Sequence, residues 1–153
     1  MANTYTQLNV HAVFSVKGRE NTLSSKMRPD LFAFISGILS RLNCFPLAVN
    51  GFKDHIHMFF ELHPTKSVSD ILEKVKSGSS KWINEKKFMP GTFSWQSGYS
   101  AFTYSRSQRN DVIGYIMNQE EHHKKATFRE EYLRLLEKFE MDYDPKYIFE
   151  FYE

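Results

Sequence analysis

One cysteine in 153 residues cannot close a disulfide within the chain, and Cys44 has no second cysteine with which to build a thiolate metal site. It reads as a small buried hydrophobe in a reducing compartment. The opening Met1-Ala2-Asn3-Thr4-Tyr5-Thr6-Gln7 lacks the basic start and apolar stretch of an export signal. No apolar run approaches the roughly 20 residues of a membrane helix. These absences predict a cytoplasmic protein with no membrane contact. A surplus of one charge is missing too: 20 Lys and Arg against 18 Asp and Glu leave a net +2. Bulk electrostatics therefore do not announce a nucleic-acid binder, and any such surface must be local. No repeat, linker or low-complexity segment divides the chain, so residues 1–153 read as one domain.

What the chain does have is aromatics, 14 Phe and 8 Tyr, and clear periodicity. Residues 5 to 16 alternate at the two-residue period of a strand and end at Lys17-Gly18-Arg19. Pro29 opens a helix whose apolar positions run from Leu31 to Leu42. A strand from Phe45 to Asn50 turns at Gly51 into a second strand through His55-Ile56-His57-Met58-Phe59. Ser67, with Asp70 three residues on, caps a second helix reaching Ile83, whose polar face is basic. A fourth strand carries Tyr99, Phe102 and Tyr104. Residues 108 to 125 read as a third helix, and Thr127 with Glu130 starts a fourth over Phe128 to Phe139. The aromatic tail from Asp142 is expected to pack on the body or on a partner. The order strand, helix, strand, strand, helix, strand is that of an α+β, ferredoxin-like antiparallel sheet, here with additional C-terminal helices.

The chemistry concentrates at Asp54-His55-Ile56-His57. Strand alternation projects both imidazoles from one face and turns Ile56 into the core, which makes a preorganised half-site for a divalent cation. Tyr115 and Gln119, four apart on the third helix, share a face and can bring a nucleophile and a neutral oxygen ligand. Asp54, His122 and His123 are candidates for supporting the ligands from behind, while His11 and His63 receive no role. Candidate DNA contacts are Lys17, Arg19, Lys74, Lys76, Lys81, Arg106 and Arg109.

Four segments, Val13-Phe14-Ser15-Val16-Lys17-Gly18-Arg19, Asp54-His55-Ile56-His57-Met58, Trp95-Gln96-Ser97-Gly98-Tyr99 and Tyr115 through His123, stand in order and in register. Together they resemble the single-tyrosine transposases of bacterial insertion sequences, the insertion-sequence-200/605 group of the His-hydrophobe-His endonucleases. The resemblance implies that His55, His57 and Gln119 bind one Mg²⁺ or Mn²⁺. It also implies that Tyr115 attacks single-stranded DNA to give a 5′-phosphotyrosine link, that hairpins at the element's ends are recognised, and that the protein is a homodimer. The competing reading keeps the same scaffold as a non-catalytic or domesticated nucleic-acid-binding regulator. A replication nickase of the same superfamily is the third.

Overall fold

The alternating segments become four strands: β1 (Asn9–Ser15), β2 (Phe45–Gly51), β3 (His55–Glu61) and β4 (Ser100–Tyr104). They form one antiparallel sheet in the order β2-β3-β1-β4, the ferredoxin-like arrangement. The structure, a computed structural model, describes residues 3–18 and 22–152. β1 is shorter than its alternating pattern because its neighbours run out: Asn9 already pairs with Glu61 and Tyr104, the last residues of β3 and β4. Tyr5 and Leu8 precede the ladder and are exposed.

Directly opposed residues share a face of the sheet. Phe14, Ala12 and Val10 oppose Ile56, Met58 and Phe60, and this face carries the main core. Helices α1 (Arg28–Arg41) and α2 (Val68–Lys86) close it with Leu31, Ile35, Leu39, Ile71, Leu72 and Val75. Pro29 lies in the first turn of α1, where its missing N–H has no helical partner to lose. Ser67 caps α2 by accepting from the Asp70 amide at 3.1 Å.

The other face of the same strands carries Ser15, Val13 and His11 opposite His55, His57 and Phe59. Three helices follow β4: α3 (Arg109–Met117), α4 (Gln119–His122) and α5 (Phe128–Lys138). α3 crosses β2 and β3, with Val112 and Ile116 on Ala48 and Phe59. α5 covers the β1–β4 side: Phe139, just past its end, stacks on Phe102 at 4.5 Å, and Tyr132 hydrogen-bonds Ser100.

The continuous third helix expected over 108 to 125 is instead a 3-10 turn followed by α3 and α4, broken at Asn118, whose ψ of 26° leaves the helical range. The Asn50 side chain holds the end of α3 against β2 by donating to the Ile116 carbonyl at 2.9 Å. The break re-aims Gln119 relative to Tyr115, which helical spacing alone does not anticipate. The aromatic tail folds onto its own body. Gln96 donates to the Glu150 carbonyl at 2.7 Å and accepts from the Glu150 amide at 2.8 Å, while Phe149 packs on Tyr132 at 4.9 Å. No helix among the described residues is long and apolar enough to cross a membrane.

Candidate active site

His55 and His57 are both fully buried, on the sheet face roofed by α3 and α5. The hairpin that brings His55 there is tight at Gly51, where a Cβ would sit 2.2 Å from the His55 carbonyl oxygen. Any side chain would push β2 away from β3 at the first histidine. Next to it, Asp54 Oδ1 lies 2.7 Å from His55 Nδ1, so the ring donates to the carboxylate and keeps Nε2 facing inward. His57 Nδ1 lies 2.8 Å from His11 Nε2, a buried partner on β1 to which the sequence reading assigns no role.

Nε2 of each histidine meets a carboxylate that the sequence reading passed over. Glu131 Oε1 lies 3.2 Å from His55 Nε2 and 3.1 Å from the Nε2 atoms of His57 and His123. Its other oxygen, Oε2, accepts from Gln119 Nε2 at 3.1 Å and from the Tyr115 hydroxyl. Glu131 is only 2 % exposed. A signal for it does exist in the sequence: on α5 it lies beside Phe128, Tyr132, Leu135 and Leu136, so it is a charge on the apolar stripe rather than on the wet face.

Gln119 is fully buried, with Oε1 3.0 Å from His55 Nε2 and 2.9 Å from His123 Nε2. His123 donates from Nδ1 to the Ala126 carbonyl at 2.9 Å, which leaves Nε2 turned to the centre. Tyr115 stands edge-on over His57 with ring centroids 5.8 Å apart, so the tyrosine and the imidazoles meet within one chain.

The electrostatics follow from this crowding. Burial alone would raise the Glu131 carboxyl, but the imidazoles around it, His57 foremost, hold it far below the usual carboxylate range. Burial works against a charged His55, yet its bonds to Asp54 and Glu131 prevail and push it up to about 9. His57 goes the other way, because burial outweighs its attraction to Glu131. Burial and then the Glu131 charge push the Tyr115 phenol well above its ordinary value.

His55, His57 and Glu131 offer donor atoms all within 4.8 Å of one another. Adjacent ligands of an octahedral ion at about 2.1 Å stand about 3.0 Å apart. Three spacings, His55–Gln119 at 3.0 Å, His55–Glu131 at 3.2 Å and His57–Glu131 at 3.1 Å, match that edge, while the whole His55, His57 and Glu131 set stays within 4.8 Å. Two imidazoles, an amide oxygen and a carboxylate also form a donor set of borderline hardness, suited to a first-row divalent ion or Mg²⁺. The residues present fit a metal.

The candidate DNA contacts are dispersed. Lys74, Lys76 and Lys81 stand on α2, in the layer on the far side of the sheet from the histidines. Lys76 donates to the Gln96 and Gly98 carbonyls at 2.7 and 2.8 Å, and Lys81 faces Glu85 at 3.9 Å. Arg109 pairs with Glu61 and donates to Asn9 Oδ1 at 3.0 Å. Arg106 is exposed at the turn before α3, and Lys17 is exposed just past β1. Arg19 lies outside the described residues. His122 sits 3.5 Å from Glu131 Oε2, and His63 is half-buried, bonded to Thr65.

Comparison with known proteins agrees with the fold. A crystal structure of a presumptive transposase from Deinococcus radiodurans superposes with a TM-score of 0.62 at 21% identity, covering 78% of this chain and 95% of that one. A REP-associated tyrosine transposase bound to a REP hairpin superposes with a TM-score of 0.59 at 13% identity, covering 80% of this chain and 73% of that one. No curated protein sequence matches the chain. The family model described as "Transposase IS200 like" matches residues 4–119, a span that holds both strand histidines, Tyr115 and Gln119 and stops short of Glu131. The chain belongs to the IS200-like transposase family.

Proposed function

We propose that the protein is a metal-dependent DNA transposase that cleaves and rejoins single-stranded DNA through a 5′-phosphotyrosine intermediate on Tyr115. The observation that carries this reading is one buried carboxylate: Glu131 presents Oε1 to the strand histidines and Oε2 to the Tyr115 hydroxyl. A cation at the first set and a nucleophile at the second are thereby held a carboxylate's width apart.

His55 and His57, with Glu131 and Gln119 beside them, would hold Mg²⁺ or Mn²⁺. When bound, the ion supplies charge to a non-bridging phosphate oxygen and offsets the charge that builds in the transition state. The chain's own residues do the rest. Asp54 orients His55, His11 abuts His57, and Asn50 fixes the end of the tyrosine helix. Burial beside a carboxylate disfavours a free phenolate, and the carboxylate of Glu131 is too weak a base to keep the proton. Glu131 Oε2 therefore orients the Tyr115 hydroxyl toward phosphorus, and the hydroxyl gives up its proton only as the bond to phosphorus forms. The Tyr115 Oη–phosphorus bond forms, the phosphorus–O3′ bond breaks, and the proton lost by the phenol ends on O3′, releasing a 3′-hydroxyl. The phosphotyrosine link keeps the bond energy, so a 3′-hydroxyl can attack it in reverse and rejoin strands without ATP.

The REP-hairpin complex supports hairpin ends as the recognised DNA. A homodimer suits an element with two ends to cut, and β2 and β4 leave the sheet with two edges through which copies can meet. Light scattering that gives a monomer at working concentration would remove the dimer.

The test is incubation of the purified protein and Mn²⁺ with single strands copied from the DNA flanking its gene, followed by denaturing electrophoresis. A covalent protein–DNA adduct is expected. Strand binding without an adduct on any flanking sequence would favour the non-catalytic regulator.

A further inference from the structure

Between α3 and α5 lies a cavity of about 330 Å³ whose wall includes Tyr115 and Glu131. Its other walls differ in kind. α5 contributes Arg134 and Lys138, three and seven residues past Glu131 and so on the same helical stripe. Leu135 and Tyr104 contribute apolar and aromatic surface, and the start of α3 brings Gln108 and Asp111. Cationic groups on one side, a flat apolar surface in the middle and an amide nitrogen and a carboxylate opposite match the three parts of a nucleotide: phosphate, base face and base edge.

Resting on the proposed function, we propose that this cavity is a nucleotide subsite taking the unpaired nucleotide next to the scissile phosphate. Arg134 and Lys138 hold its phosphates, Tyr104 and Leu135 pack its base, and on the base edge Asp111 accepts from the amino group while Gln108, whose oxygen is held by Ser105, donates from its amide nitrogen. Both cations are free to do this. Arg134 faces Glu130 at 3.8 Å with its side chain 66 % exposed, a loose and solvent-screened contact that a phosphate displaces. Lys138 lies 5.8 Å from the centroid of the Tyr104 ring, so the ammonium and the stacking surface are already adjacent. The cavity lies at the small end of ligand pockets, a size for one extruded nucleotide and not for a duplex. The lysines on α2, in contrast, stand behind the sheet and cannot reach a phosphate at Tyr115.

The test measures binding and not turnover. In a Tyr115→Phe background, anisotropy of a fluorescent single strand from the gene's flank is titrated against salt with and without Arg134→Gln and Lys138→Gln. The double substitution should weaken binding at least about tenfold at low salt. It should also make the slope of log affinity against log salt shallower by about 1.4, roughly 0.7 for each lost phosphate contact. Mn²⁺ binding by calorimetry should be unchanged, which shows the fold and the histidine site intact. Unchanged affinity and slope in the double variant overturn the subsite, as does a loss of affinity with no change in slope. A background protein that binds no flanking strand at all overturns the functional reading itself, a separate outcome. A 4-thiothymidine at the position next to the cleavage site should crosslink to the peptide holding Tyr104 or to α5, and crosslinks confined to α2 would refute the assignment.

Discussion

On one side of β3, Ile56, Met58 and Phe60 are fully buried, and on the other side, one residue along, so are His55 and His57. Water is excluded from both faces, but the first gains from that exclusion at every one of these positions, whereas the second gains only around Phe59 and loses at its histidines. The α1/α2 side is held by apolar area removed from solvent, at about 25 cal/mol per Å². On the α3/α5 side, burial taxes every charge, and the face persists because each group is bonded to another: Asp54 to His55, His11 to His57, Glu131 to three imidazoles and a phenol. Stability and chemistry are thus divided between the two sides of a single strand. Substitutions on the first side should alter folding, and those on the second should alter metal and DNA chemistry.

The sharpest way to break that division is Tyr115→Phe. Adduct formation should vanish, while thermal stability changes by no more than about 2 kcal/mol, the scale of one hydrogen bond to a charged group. A variant that still forms the adduct would pass the nucleophile to another tyrosine or to water. Phe60→Ala tests the opposite side and should cost about 3 to 5 kcal/mol by denaturant titration. The Mn²⁺ affinity of the molecules that stay folded should equal the parent's, and a large change in it would show that the two faces are coupled.

A smaller effect is expected from Asp54→Asn, which keeps the shape but weakens the partner of His55 Nδ1. Calorimetry should show Mn²⁺ affinity reduced about 10- to 100-fold, the usual range for an outer partner of a metal-binding histidine. No loss would mean that the carboxylate only closes the turn. The last effect is a proton count. Its bonds to Asp54 and Glu131 push the metal-free His55 up to about 9 from an ordinary 6.5, so at pH 7 it holds a proton that metal binding displaces. Mn²⁺ titrations in two buffers of different ionisation enthalpy should reveal release of about one proton at pH 7, falling away as the pH rises through 9. The same shift makes the metal-free protein lose stability as the pH climbs from 6.5 to about 9, because the folded state holds that proton more tightly than the unfolded one. A melting temperature that rises over that interval would contradict it.

Periodicity made much of this legible. The period-two run from His55 to Glu61 has few alternatives, so the facing of the histidines and the strand pairing could be read directly. The caps at Ser67 and Thr127 marked two helix starts to the residue. The break at Asn118 was not legible, since 108–125 carries no proline and its one glycine, Gly114, falls within the observed α3. What stops α3 near Asn118 is a long-range hold, the Asn50 side chain on the Ile116 carbonyl. Glu131 was overlooked because an acidic residue early in an amphipathic helix is ordinarily solvated, and Glu130 beside it is exposed. Distinguishing the twins needs the facing of α5, which the packing of Phe128 and Tyr132 against the tail decides.

The position of Glu131 on α5 also has a consequence for the order in which the protein comes into being. Chains emerge from the ribosome from the N-terminal end, and early segments fold first. The strand histidines, Tyr115 and Gln119 all leave before Glu131, and the Gln96 clasp on Glu150 closes later still. A nascent chain that has finished its sheet therefore holds a tyrosine and two imidazoles without the carboxylate that relates them. The candidate site is thus closed by a carboxylate and a clasp that follow the sheet and its histidines in the chain.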